Sequence, residues 1–105
     1  MRVTISHKKP KPEVVKLIDK NVDEMLKGLA NGPVQVLDME RAWKGDVMNF
    51  SFKGKASIFT VPIRGYIEVT DQEVIVDADL GHLTKFLSED KLRAGIETKV
   101  RGYLA

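Results

Sequence analysis

Cysteine is missing from all 105 residues, and with it go disulfide frameworks, thiolate nucleophiles and every Cys-ligated zinc or iron–sulfur site. Long apolar runs are missing too, since no stretch approaches the roughly 18 consecutive apolar residues that a membrane-spanning helix requires. The opening Met1 to Lys11 carries Arg2, Lys8, Lys9 and Lys11 with no apolar segment behind them, so no secretory leader is expected. A cytoplasmic location follows as the expectation. Glycine is scattered: Gly45, Gly54 and Gly65 stand alone, and no glycine-rich phosphate loop can be assembled from them. What is present is ordinary for a globular chain, 43% hydrophobic and 30% charged residues, enough for one domain spanning residues 1–105 with a single core.

Charge is unevenly placed. Counted along the chain, residues 1–20 are net +4, 21–65 net +1, 66–90 net −6 and 91–105 net +3. A nucleic-acid binder gathers Lys and Arg on one face of a strongly basic domain, whereas an acidic block here divides two basic ends, which argues against nucleic acid.

Hydrophobic periodicity supplies the elements. Val3 and Ile5 alternate with polar neighbours in a short strand over Arg2 to Ser6, and Pro10 and Pro12 punctuate before a helix begins. Val14, Leu17, Ile18, Val22, Met25, Leu26 and Leu29 recur at spacings of three and four, and Asn31, Gly32 and Pro33 end the pattern. From Val34 the period becomes two. Leu37, Met39 and Trp43 alternate with Asp38, Glu40 and Lys44; a turn at Lys44, Gly45 and Asp46 leads to Met48, Phe50 and Phe52. Lys53, Gly54 and Lys55 read as a second turn before Phe59, Val61, Ile63, Ile67 and Val69. Pro62 and Gly65 interrupt this run as an edge or a bulge would. A turn over Asp71 to Glu73 precedes Val74, Val76, Ala78 and Leu80, which leaves Glu73, Asp77 and Asp79 facing water. Gly81 to Leu87 reads as a short helix with Leu83, Phe86 and Leu87 inward. Ser88 reads as the N-cap of a last helix with the stripe Leu92, Ile96, Val100 and Tyr103 or Leu104. The expected fold is α+β: a short N-terminal strand, a helix, a four-stranded antiparallel meander and a C-terminal helix, with the helices on one face of the sheet.

Three sets of residues in the second half carry a resemblance: Trp43, Lys44, Gly45 and Asp46 followed by Phe50; Gly65 to Val69; and Val76 to Leu83. In this order, with His7 ahead of the first helix, the chain resembles the polyhydroxyalkanoic acid system protein family over nearly its whole length. The resemblance implies association with storage-polyester metabolism or the granule surface, and it brings no catalytic residue set.

The residues themselves offer little chemistry. His82 follows Asp79 by three positions, close enough for a carboxylate to orient an imidazole, yet an Asp at a strand end commonly caps backbone N–H groups. His7 lies among lysines. Asp77, Asp79 and Glu73 share a strand face, as alternating carboxylates do on any solvent-facing strand, so neither a metal site nor a cofactor is assigned. Serine nucleophiles lack a base.

Apolar residues left over once a core face is chosen are the better lead. Val47, Ile58, Tyr66 and Ile75, with Trp43, do not all fit inside, and they are candidates for a granule-contact patch or a homodimer face. Phe50, Phe52, Phe59, Phe86 and Ile96 are candidates for an apolar pocket between the sheet and the last helix, against the alternative of a filled core. Two functions stay open. One is a non-enzymatic accessory protein of the polyhydroxyalkanoate system that binds the granule or its proteins; the other is a small carrier or enzyme with an acyl-type ligand pocket.

Overall fold

The computed structural model describes residues 1–27, 34–85 and 87–105. The elements in chain order are β1 (Arg2–Ser6), α1 (Lys11–Lys27), β2 (Val34–Lys44), β3 (Val47–Ala56), β4 (Phe59–Val69), β5 (Glu73–Asp79), a 3-10 turn (Gly81–Lys85) and α2 (Glu89–Leu104). All strands form one antiparallel sheet in the order β1-β5-β4-β3-β2. The meander is as the alternation requires, and β1 extends it to five strands by pairing with β5, Val3 opposite Val76 and Ile5 opposite Val74. The expected ending of α1 at Asn31 to Pro33, and Leu29 with it, lies outside the described residues.

Both helices pack on one sheet face, and their buried residues join the inward residues of the strands in one core. Val14, Ile18, Val22, Met25 and Leu26 from α1 and Ile96 and Val100 from α2 meet Val3, Ile5, Met48, Phe50, Phe52, Ile63, Ile67, Val74 and Val76. Pro12 sits in the first turn of α1, where a missing N–H costs nothing. Ser88 caps α2, its Oγ accepting the Lys91 N–H at 3.3 Å.

Two readings of the strands need correction. The second turn is not at Lys53 to Lys55: β3 continues through Gly54 to Ala56, and the chain reverses at Ser57 and Ile58, with Ala56 opposite Phe59. Ser57 has φ 58°, the left-handed geometry that a two-residue hairpin turn asks of its first central residue and that glycine ordinarily supplies. Gly45 fills the same role in the β2–β3 turn with φ 61°. Gly54 is required for a different reason: a Cβ there would run into the Leu83 side chain of the 3-10 turn, which lies directly over it.

The bulge lies in β2, not β4. Pairing shifts between Leu37 and Glu40, and Asp38 takes φ 52°. An inserted residue in a period-two element exchanges the two faces beyond it. Val34 and Val36 point to the helices before the bulge and Arg41 and Trp43 after it, while Leu37 faces outward opposite Lys53. Leu37, Met39 and Trp43 therefore do not form one stripe. Trp43 is turned toward α1, its indole Nε1 donating to Asp19 Oδ1 at 2.9 Å, and Arg41 beside it pairs with Asp23 at 3.2 Å. In β4 the edge reading holds: β5 pairs only from Arg64 onward, so Phe59 to Ile63 has β3 alone as a neighbour, and Pro62 falls in that half.

Candidate functional site

The β3–β4 hairpin reaches past the end of β5, and its apex carries the clearest anomaly of the surface. Ile58 is 85% exposed and Phe59 beside it 55% exposed. Phe59 shares the inward face with Ala56 at the end of the sheet. Beside it is a largely apolar recess of about 300 Å³ lined by Phe59, Thr60, Val61, His82 and Lys85. Lys55 lies opposite Thr60 and Lys53 opposite Pro62 on the other face of the same hairpin. Lys53 is held by Asp38 at 3.5 Å. Lys55 and Lys85 make no ion pair among the described residues.

The other three apolar surface candidates are elsewhere. Val47, Tyr66 and Ile75 lie on the face opposite the helices, half-buried among their sheet neighbours. Val47 and Ile75 both stand opposite Glu68, while Tyr66 stands between Asn49 and Asp77, so the three mark a triangle across β3, β4 and β5. Ile58 is roughly 27 Å from Tyr66 along the hairpin, by the rise of about 3.4 Å per strand residue, and farther from the other two. The sequence grouped four residues that the sheet divides into a tip and a face. On that face two adjoining shallow hollows of about 480 and 400 Å³ share Glu40, Ser51 and Arg64.

Of the pocket candidates, Phe50 and Phe52 are buried and their rings lie nearly parallel, with centroids 6.2 Å apart. Phe50 extends over Gly65, where a side chain would collide with its ring and with the Asp77 carbonyl. Ile96 is buried from the α2 side, Phe59 is at the exposed apex, and Phe86 lies outside the described residues.

Polar candidates have structural partners. Asp79 Oδ1 accepts the Gly81 N–H at 3.1 Å, capping the 3-10 turn, and His82 is exposed. Asp77 stands opposite Arg2 and Asp79 opposite Arg64 on the outward face. His7 is the one polar residue buried among those described, at 9% exposure. Its Nε2 donates to the Thr70 carbonyl at 2.8 Å while Nδ1 accepts the Lys9 N–H at 3.2 Å, and its own N–H bonds the Gln72 carbonyl. The imidazole thereby joins the β1–α1 connection to the β4–β5 turn. Its burial was not legible from the surrounding lysines.

No curated protein and no solved structure matches the chain. A family model described as "Putative polyhydroxyalkanoic acid system protein" matches residues 1–104, the family that the Trp43 to Asp46, Gly65 to Val69 and Val76 to Leu83 segments resemble. With the match spanning almost all of the sequence, the chain belongs to that family.

Proposed function

We propose that this protein is a non-enzymatic accessory factor of the polyhydroxyalkanoate system, acting in the cytoplasm by attaching to the storage granule. The observation that carries this reading is the exposed pair Ile58 and Phe59 at the hairpin apex. Ile58 stands 85% exposed in the turn itself, and a large apolar side chain so placed loses contact with water only when something outside the molecule covers it. Two of the polar candidates are committed to structure: Asp79 caps a turn and His7 joins two connections.

The test is cosedimentation with polyhydroxyalkanoate granules stripped of protein, against an unrelated protein of similar size and charge. Saturable retention above that reference, reduced about tenfold by Ile58→Ser, is the expected result, a loss equivalent to part of the transfer free energy of one isoleucine. Retention no greater than that of the reference protein sinks direct attachment.

A further inference from the structure

The apex is apolar at its centre and basic around it. Residues 53–62 contain Lys53 and Lys55 and no Asp or Glu, and Lys85 and His82 line the recess beside Phe59. At the other end of the sheet Asp46 and Asp71 flank Lys11, and Glu68 and Glu73 lie on either side of the β4–β5 turn; on the side of the apex Asp38 pairs with Lys53. An apolar tip flanked by Lys55 and Lys85, neither in an ion pair among the described residues, matches an anionic lipid–water interface. The apolar side chain enters the acyl boundary while the lysines extend along it and hold their charge among the headgroups. A bare neutral polymer would use the apolar centre and leave the lysines without a role.

We infer that the β3–β4 apex, with Ile58 as the inserting side chain and Lys55 and Lys85 as headgroup contacts, docks on an anionic lipid surface. The inference rests on the attachment reading for its orientation of the molecule, and it specifies the chemistry of what the apex meets.

The experiment is flotation of the whole protein with two kinds of vesicle, pure phosphatidylcholine and phosphatidylcholine mixed with phosphatidylglycerol, at low and moderate salt. The expected result is retention on the anionic vesicles, weakened by salt, and little retention on the neutral ones. Lys55→Gln and Lys85→Gln each lower the partitioning about fivefold, and Ile58→Ser lowers it about tenfold. Ile58 lies in a solvent-exposed turn, and far-UV circular dichroism checks that the variant is folded. Equal retention on both vesicles, or an Ile58→Ser variant that partitions like the parent, overturns the inference. If vesicles retain nothing while stripped granules retain the parent and release Ile58→Ser, the lipid surface is wrong and granule attachment stands. Retention on anionic vesicles with none on stripped granules supports the lipid surface and removes direct attachment to the polymer.

Discussion

His7, Tyr103 and Lys11 each show how one side chain's environment sets what its replacement does. His7→Leu keeps much of the volume but leaves the Thr70 carbonyl and the Lys9 N–H without their partner, and buried groups so stranded cost about 1–3 kcal/mol. Urea unfolding should report that loss. Tyr103 is the opposite case, because its hydroxyl is buried with no hydrogen-bond partner among the described residues. Tyr103→Phe should leave the melting temperature unchanged or raise it, since removing an unsatisfied group removes its desolvation penalty. Burial, and then the charge of Glu24, push the Tyr103 phenol above its ordinary 10.0. The Lys11 ammonium, hydrogen-bonded to Asp46 and near Asp71, is raised above 10.5. Both groups hold their proton more tightly in the folded chain than in the unfolded one. The stability linked to them is therefore complete below those ordinary values and is lost as pH rises through the folded ones. Denaturant midpoints followed from neutral into alkaline solution should fall, and the fall should be shallower in Lys11→Met; equal slopes would show that Lys11 is not coupled to folding.

At the scale of the element, most boundaries were legible because the strands other than β2, and the helices, each keep one period. The stripe of α1 from Val14 to Leu26, the cap at Ser88 and the Gly45 turn all follow from side-chain pattern and backbone preference. The failures have two physical sources. A glycine marks either a turn or a close approach, and sequence does not distinguish them: Gly54 and Gly65 sit inside strands because Leu83 and Phe50 pack on them, while the actual turn uses Ser57 in a conformation that serine rarely takes. The bulge at Asp38 is the other source, since one extra residue reverses every later assignment in β2 and moved Trp43 from the expected surface set to the side of α1. Of the candidate site, Ile58 was visible as a leftover apolar residue, but its separation from Val47, Tyr66 and Ile75 depends on strand length and register. Two expectations follow. Gly65→Ala should destabilise by about 1–3 kcal/mol, because the new methyl meets backbone on one side and the Phe50 ring on the other. Ser57→Gly should hold or raise stability by up to ~1 kcal/mol through relief of the left-handed strain, measurable as a shift in the denaturant midpoint.

On the scale of the whole molecule, the extents of 43 × 25 × 18 Å describe an elongated body with a basic, apolar apex at one end and paired carboxylates near the other. Such a charge distribution turns the molecule in the field of an anionic surface before contact is made. The first half of β4 adds a hazard of its own. Beyond the reach of β5, the stretch from Phe59 to Ile63 is an open sheet margin directly beside the most apolar part of the surface. A second hairpin laid alongside it would extend the ladder from one molecule to the next. Pro62 stands in the middle of that margin and has no N–H to offer, so a chain growing by strand addition meets a gap just where it would otherwise start. The residue that interrupts the strand pattern thus takes away one of the hydrogen bonds that strand addition along this margin would need.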